Sequence, residues 1–162
     1  MVILGLDPGL ATTGYGLIEK KGSKLRFIEH GILTTPPKME LSKRLLMLSN
    51  KLKDLLSSHQ PTSMAIEELF FAKNVTTAMV VSQARGVLLL TAEQAGIEAI
   101  SSYTPLQVKT AVCGYGKAEK QQVQYMVKQL LNLPDIPKPD DAADGLALAI
   151  CHSHFYRIKS LS

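Results

Sequence analysis

The chain has little of what would anchor it in a membrane, staple it or divide it. Its 162 residues include only two cysteines, Cys113 and Cys151. These show no metal-ligand spacing, and free thiols in a cytoplasmic protein are the simpler reading. Polar residues break every apolar run before it reaches membrane-spanning length. The N-terminal stretch MVILGLDPG lacks a basic leader segment and a small-residue cleavage site, so it reads as a first strand and not as a signal peptide. There is no internal repeat, no low-complexity tract and no linker long enough to split the chain. Residues 1–162 are therefore expected to form one domain. Charge of one sign is also scarce, since the net value is only +4. Such a balance permits a polyanionic partner without demanding one.

What is present suffices for a core, because 46% of the residues are hydrophobic and 20% charged. Val2 to Leu6 reads as a strand ending at Asp7, and Pro8-Gly9 as a turn. Gly14 to Ile18 and Leu25 to Leu33 read as two further antiparallel strands around the Gly22-Ser23 turn. Leu41, Leu45, Leu48, Leu52 and Leu55 recur at helical spacing up to His59. Ser63 to Leu69 is a nearly continuous apolar strand, suited to a parallel position covered on both faces. Val75 to Ala95 is a long apolar helix, followed by a strand from Glu98 to Tyr103. Thr104-Pro105 pairs an N-cap with a proline at the first helical position, and Gly114-Tyr115-Gly116 ends that helix. Glu119 to Leu131 carries Val123, Val127 and Leu130 on one face, and a last helix spans Asp141 to Tyr156. The order is that of an α/β domain with a five-stranded mixed sheet, three strands antiparallel and two added in parallel, flanked by helices.

Four acids stand out within this plan. Asp7 and Glu67 end apolar strands, where α/β proteins place their chemistry. Asp141 and Asp144 lie three apart on a helix and share a face. Taken singly, Asp7 is also a turn former, Glu67 an exposed strand end, and the aspartate pair a helix cap. Together they offer hard oxygen ligands for magnesium, and two such ions about 3.5–4 Å apart suit phosphodiester hydrolysis. Spacing alone leaves Asp140, four before Asp144, as an alternative to Asp141. Strand alternation turns Glu68 away from Glu67.

Five segments in order, ILGLDPGLATTGYG, AIEELFFAKN, SQARGV, QVKTAVCGYGKAEKQQVQ and DDAADGLALAI, closely resemble the RuvC crossover-junction endodeoxyribonucleases over nearly the whole chain. The resemblance implies a ribonuclease-H-like fold, a homodimer and resolution of four-way (Holliday) DNA junctions in recombination and repair. It implies paired symmetric magnesium-dependent nicks that leave 5′-phosphate and 3′-hydroxyl ends. Two Mg2+ ions per site are expected, with Mn2+ as a substitute, in a bacterial cytoplasm and alongside a branch-migration motor complex. Asp7, Glu67, Asp141 and Asp144 match the family's catalytic, metal-binding acids, which favours Asp141 over Asp140. Phe70 matches the base-stacking aromatic, and Lys109 and Lys120 match residues that contact DNA or the scissile phosphate. Lys120 is also a candidate to stabilise transition-state charge. Lys73, beside Phe70, and Lys117, in the glycine loop, are further candidates for phosphate contact. Arg85 leaves DNA contact and support of the fold both open.

Three other readings compete. The DPG and TGYG pair also resembles the phosphate hairpin of actin-like ATPases and sugar kinases, but those need a second lobe that 162 residues do not supply. An RNA-processing protein of the same fold is a second alternative. A DNA-binding module would need the lysines and Phe70 but not four acids. Cleavage of a four-way junction against linear duplex separates these classes.

Overall fold

A computed structural model describes residues 1–69 and 75–159, the side chains of 157–159 excepted. Strands β1 (Val2–Asp7), β2 (Thr12–Lys21) and β3 (Lys24–Thr34) form an antiparallel meander. Helix α1 (Leu41–His59) then leads to β4 (Ser63–Glu67), and α2 (Val75–Gln94) to β5 (Ala99–Tyr103). Both later strands join in parallel, giving the order β3-β2-β1-β4-β5. Helices α3 (Pro105–Cys113), α4 (Lys120–Leu130) and α5 (Asp140–Lys159) complete the described chain. This is the mixed five-stranded sheet that the sequence predicts.

Element boundaries differ where hydrophobicity and backbone pairing part company. The β2–β3 hairpin continues through Glu19, Lys20 and Lys21 to a two-residue turn at Gly22-Ser23. Its ladder needs backbone groups and not apolar side chains, so the apolar pattern stops short of it. Gly22 adopts φ 60°, which glycine accepts without a Cβ clash. Strand β4 ends at Glu67, short of Leu69. In α1 the buried row is Leu48, Leu52 and Leu56, with Leu41 exposed. In α4, Val123 and Val127 are buried with Leu131 just beyond, whereas Leu130 is exposed. A 3.6-residue period reaches 131 as readily as 130, and the sheet decides which one is covered. Helix α3 starts as expected: Thr104 Oγ1 accepts from the Gln107 backbone N–H at 3.2 Å, Pro105 follows, and Gly114 closes the helix at φ 85°.

The sheet has two covered faces, and strand alternation assigns them. Leu4, Leu6, Leu17, Met64 and Ile66 pack with α1 and α2. Ile3, Ile18 and Ala65 pack with α3, α4 and α5. Gly5, Gly14 and Gly16 share the second face, and α5 lies against their bare backbone. A Cβ on Gly5 would collide with the Gly145 carbonyl, and one on Gly14 with the Asp141 carbonyl. One on Gly16 would strike the Leu146 backbone, and one on Gly145 would strike the backbone of Tyr15 and Gly16. Gly5→Ala is therefore expected to destabilise the fold by about 1–3 kcal/mol or more, the range for overpacking a tight interior. Urea unfolding checks this, and an unchanged midpoint would show that α5 can retreat at no cost.

Candidate active site

The site is built at the carboxyl edge of two neighbouring parallel strands. The β1–β4 register pairs Leu6 with Ile66, so Asp7 and Glu67 end adjacent strands. Asp7 also pairs across β1–β2 with Gly14, on whose backbone the first turn of α5 rests. That contact delivers Asp141, and Asp144 one turn later. One ligand oxygen from each of Asp7, Asp141 and Asp144 lies within 4.8 Å of the others. Glu67, at the end of the neighbouring strand, stands close enough to Asp7 for its charge to raise the Asp7 pKa. The loop after Asp7 is closed by buried Thr13, whose Oγ1 donates to the Gly9 carbonyl at 2.6 Å.

Crowding four carboxyls has an electrostatic cost that the protonation equilibria register. Burial, then the charges of Glu67, Asp144 and Asp141, push Asp7 up to about 8. Glu67 is raised by burial and by Asp144. Asp144 is raised by burial, with Lys120 working in the opposite direction. Like charges at this spacing cannot all ionise unless cations join them. Hard oxygen donors converging on one point, with ionisation suppressed until positive charge arrives, fit a divalent cation.

Lys120 provides part of that charge. It opens α4, where the helix dipole disfavours a cation. Its Nζ stands 3.4 Å from Asp144 Oδ2 and 3.6 Å from Asp140 Oδ2. Burial, the largest single influence, would lower its pKa; the carboxylates of Asp144, Asp140 and Asp141 together outweigh that and raise it. Asp140 bridges Lys120 and Lys138 and does not join the three-aspartate cluster, which answers the ambiguity left by spacing. Asp7, Glu67, Lys109, Lys120 and Asp144 line one cleft of about 270 Å³, with Val108, Val123 and Leu148 as apolar wall.

Other sequence candidates are distributed differently. Lys117 is exposed on the turn before α4 and does not line this cleft. Phe70 and Lys73 lie outside the described residues. Glu68 is exposed, and its backbone N–H donates to the Tyr103 carbonyl. Arg85, open from sequence, supports the fold at the site itself. Its Nε donates to the Glu67 backbone carbonyl at 2.9 Å and its Nη2 to Ser102 Oγ at 2.6 Å. It thus ties the carboxyl ends of β4 and β5 to α2. The lone arginine inside an apolar helix was the available signal, but only the packing shows what it holds.

A family model described as crossover junction endodeoxyribonuclease RuvC matches residues 3–152. The crossover junction endodeoxyribonuclease RuvC of Halothermothrix orenii is 56% identical over 159 residues, spanning 98% of this chain and 96% of that protein. A Thermus thermophilus RuvC structure superposes with TM-score 0.89 at 34% identity, covering 98% of this chain and 97% of that one. A second structure, of Thermus thermophilus RuvC in complex with Holliday junction substrate, gives TM-score 0.88 at 31% identity and covers 98% and 96%. A mixed sheet of this order, an acidic edge and likeness over nearly the full length agree: the chain belongs to the RuvC family of crossover junction endodeoxyribonucleases and has their ribonuclease-H-like fold.

Proposed function

We propose that this nuclease binds four-way DNA junctions as a homodimer and resolves them by paired, magnesium-dependent nicks that leave 5′-phosphate and 3′-hydroxyl ends. The observation that carries this is the convergence of Asp7, Asp141 and Asp144, with Glu67 on Asp7 and Lys120 on Asp144. Asp7, Glu67, Asp141 and Asp144 would hold two magnesium ions, Asp7 being the acid whose protonation responds to the other three. Manganese, an oxygen-seeking ion of similar preference, would substitute. When bound, the ions supply Lewis-acid stabilisation of the phosphoryl oxygens and lower the pKa of the attacking water. In the hydrolysis the water oxygen bonds to phosphorus and loses a proton, while the bond to the 3′-oxygen breaks and that oxygen gains one. Lys120 Nζ, free to turn from Asp144 to a phosphate oxygen, offsets the negative charge of the transition state. Lys109 holds a neighbouring phosphate, and Lys117 reaches one from the rim. The apolar wall of Val108, Val123 and Leu148 limits water and strengthens each of these interactions. Phe70 and Lys73 would add a base stack and a phosphate contact. Family membership supports one domain over 1–162, action in the bacterial cytoplasm and a branch-migration motor as partner.

Helix α2 supports the homodimer. Ala84, Leu88 and Ala92 face the sheet, yet Met79 and Leu90 are 59% and 58% exposed. With Gln83 and Gly86, also exposed, they form one stripe at helical spacing. A two-fold axis beside this stripe would cover it twice and give each cut strand its own acidic site.

Asp7→Asn is expected to abolish nicking of a synthetic four-way junction while binding in salt-matched buffer persists. Full nicking by this variant, or equal cutting of linear duplex by the parent, would defeat the reading. Lys120→Ala should slow single-turnover cutting about 10²–10³-fold, as loss of one preorganised charge contact does elsewhere. Products of the parent should be resealed by a DNA ligase, and ends refusing ligation would contradict the stated chemistry.

The acids also set a pH dependence. Between pH 3.8 and about 8 the folded chain binds more protons at Asp7 than the unfolded chain does, so metal-free stability should fall as pH rises through that window. Asp7→Asn should flatten the fall, and magnesium should raise the parent's Tm most at the alkaline end. Thermal melts from pH 5 to 8.5 test this; a parent stabilised by rising pH and indifferent to magnesium would contradict it. Leu90→Glu should shift the protein to monomer in light scattering, since symmetry places two such charges in the seam. A dimer of undiminished affinity would exclude α2 as that seam.

A further inference from the structure

A second cleft, of about 440 Å³, adjoins the acids at Asp141. The β1–β2 loop at Gly9 and Thr12, the start of α2 at Thr76 and Thr77, and Arg44 of α1 line it. Asp141 lines this cleft, whereas Asp7 and Asp144 line the first. Ligand oxygens of the three lie within 4.8 Å of one another, so the two clefts meet at the acid cluster. A phosphodiester held at that point has DNA backbone leaving it in two directions. The first cleft offers Lys109 and Lys120 to one direction. The cation lining the second is Arg44.

Arg44 is prepared for such a contact. Its Nε donates to Thr35 Oγ1 at 2.9 Å. Thr35 is buried, 4% exposed, and its hydroxyl donates to the Leu10 carbonyl at 2.5 Å. One edge of the guanidinium is thereby fixed to the loop that follows Asp7. The terminal nitrogens form no ion pair with a carboxylate among the described residues. A guanidinium tethered through Nε presents two parallel N–H groups, the fork that matches two phosphate oxygens. The anchor also removes rotamer freedom before binding, so less entropy is lost when the phosphate arrives.

Resting on the nuclease reading above, we infer that Arg44 clamps a backbone phosphate of the cleaved DNA strand, on the side of the scissile bond away from Lys109 and Lys120. The strand then crosses the acids from one cleft to the other, gripped by cations at both ends. Thr35 is a positioning residue in this arrangement, since it touches no DNA and aims the arginine.

The test is the salt dependence of junction binding without divalent ions, measured by fluorescence anisotropy on a labelled four-way junction. Arg44→Ala should flatten the slope of log K against log salt by about 0.7–0.9, the loss of one phosphate contact. Arg44→Lys should restore the slope. Thr35→Val, which removes the tether and keeps the charge, should leave the slope near the parent's while weakening affinity severalfold. A purely structural Arg44 predicts instead that Arg44→Ala and Thr35→Val behave alike and that neither changes the slope; that result overturns the proposal. Should Arg44→Ala fail to fold, Arg44→Gln replaces it, and a parental slope there is equally fatal. The parent's own junction cutting reports separately on the nuclease reading, so an intact activity with an unchanged slope condemns only the clamp.

Discussion

The close seating of α5 on the bare backbone of β1 and β2 is the constraint on which the rest depends. Gly5, Gly14 and Gly16 on the strands meet Gly145 and its neighbours on the helix with no room for a Cβ between them. Any side chain there would push the helix away from the sheet, and its first two turns carry Asp141 and Asp144. The glycines therefore act on chemistry through distance. They give up side-chain packing and unfolded-state restraint to let two aspartates reach a third on the sheet edge. Interiors packed this densely pass displacements on and do not absorb them.

That closeness creates an electrostatic problem which is also the function. Desolvation and mutual repulsion raise Asp7, Glu67 and Asp144 together. A fold selected only for stability would put apolar side chains at this edge. Here the strain persists because surrounding contacts hold each acid in place: Arg85 fixes the backbone at Glu67, Thr13 closes the loop beyond Asp7, and Lys120 leans on Asp144. Divalent cations would relieve such an arrangement and reduce the repulsion between the acids and a DNA phosphate. In the proposed reading, the lysines and arginine around the rim would provide the attraction that the acids alone oppose.

Helix α2 shows how one element can serve two surfaces. By length and composition it is apolar enough to cross a membrane, yet only 22% of that window is buried. Two separate demands account for the composition. One stripe, with Ala84 and Leu88, closes the sheet, and the opposite one, with Met79 and Leu90, remains exposed in the single chain. Between them Arg85 reaches back to the strand ends. A mutation in this helix can therefore alter packing or the position of Glu67 or, in the proposed dimer, assembly, depending on which face it touches.

The sequence alone determined the element order and the mixed sheet, and it singled out Asp7, Glu67 and an aspartate pair including Asp144 as candidates, because strand-end carboxylates after apolar runs and aspartates at a helix start are local patterns. Local periodicity could not decide that Leu131 and not Leu130 is covered, or that Leu56 completes the buried row of α1. Those outcomes depend on where a neighbouring sheet lies. It could not separate Asp140 from Asp141 by spacing either, since both sit in the first turn of α5; contact with Gly14 and with Lys120 separates them. The role of Arg85 and the tether from Arg44 to Thr35 are likewise tertiary facts. Each joins residues from different elements, and what an arginine does is set by the partner that folding brings to its fork.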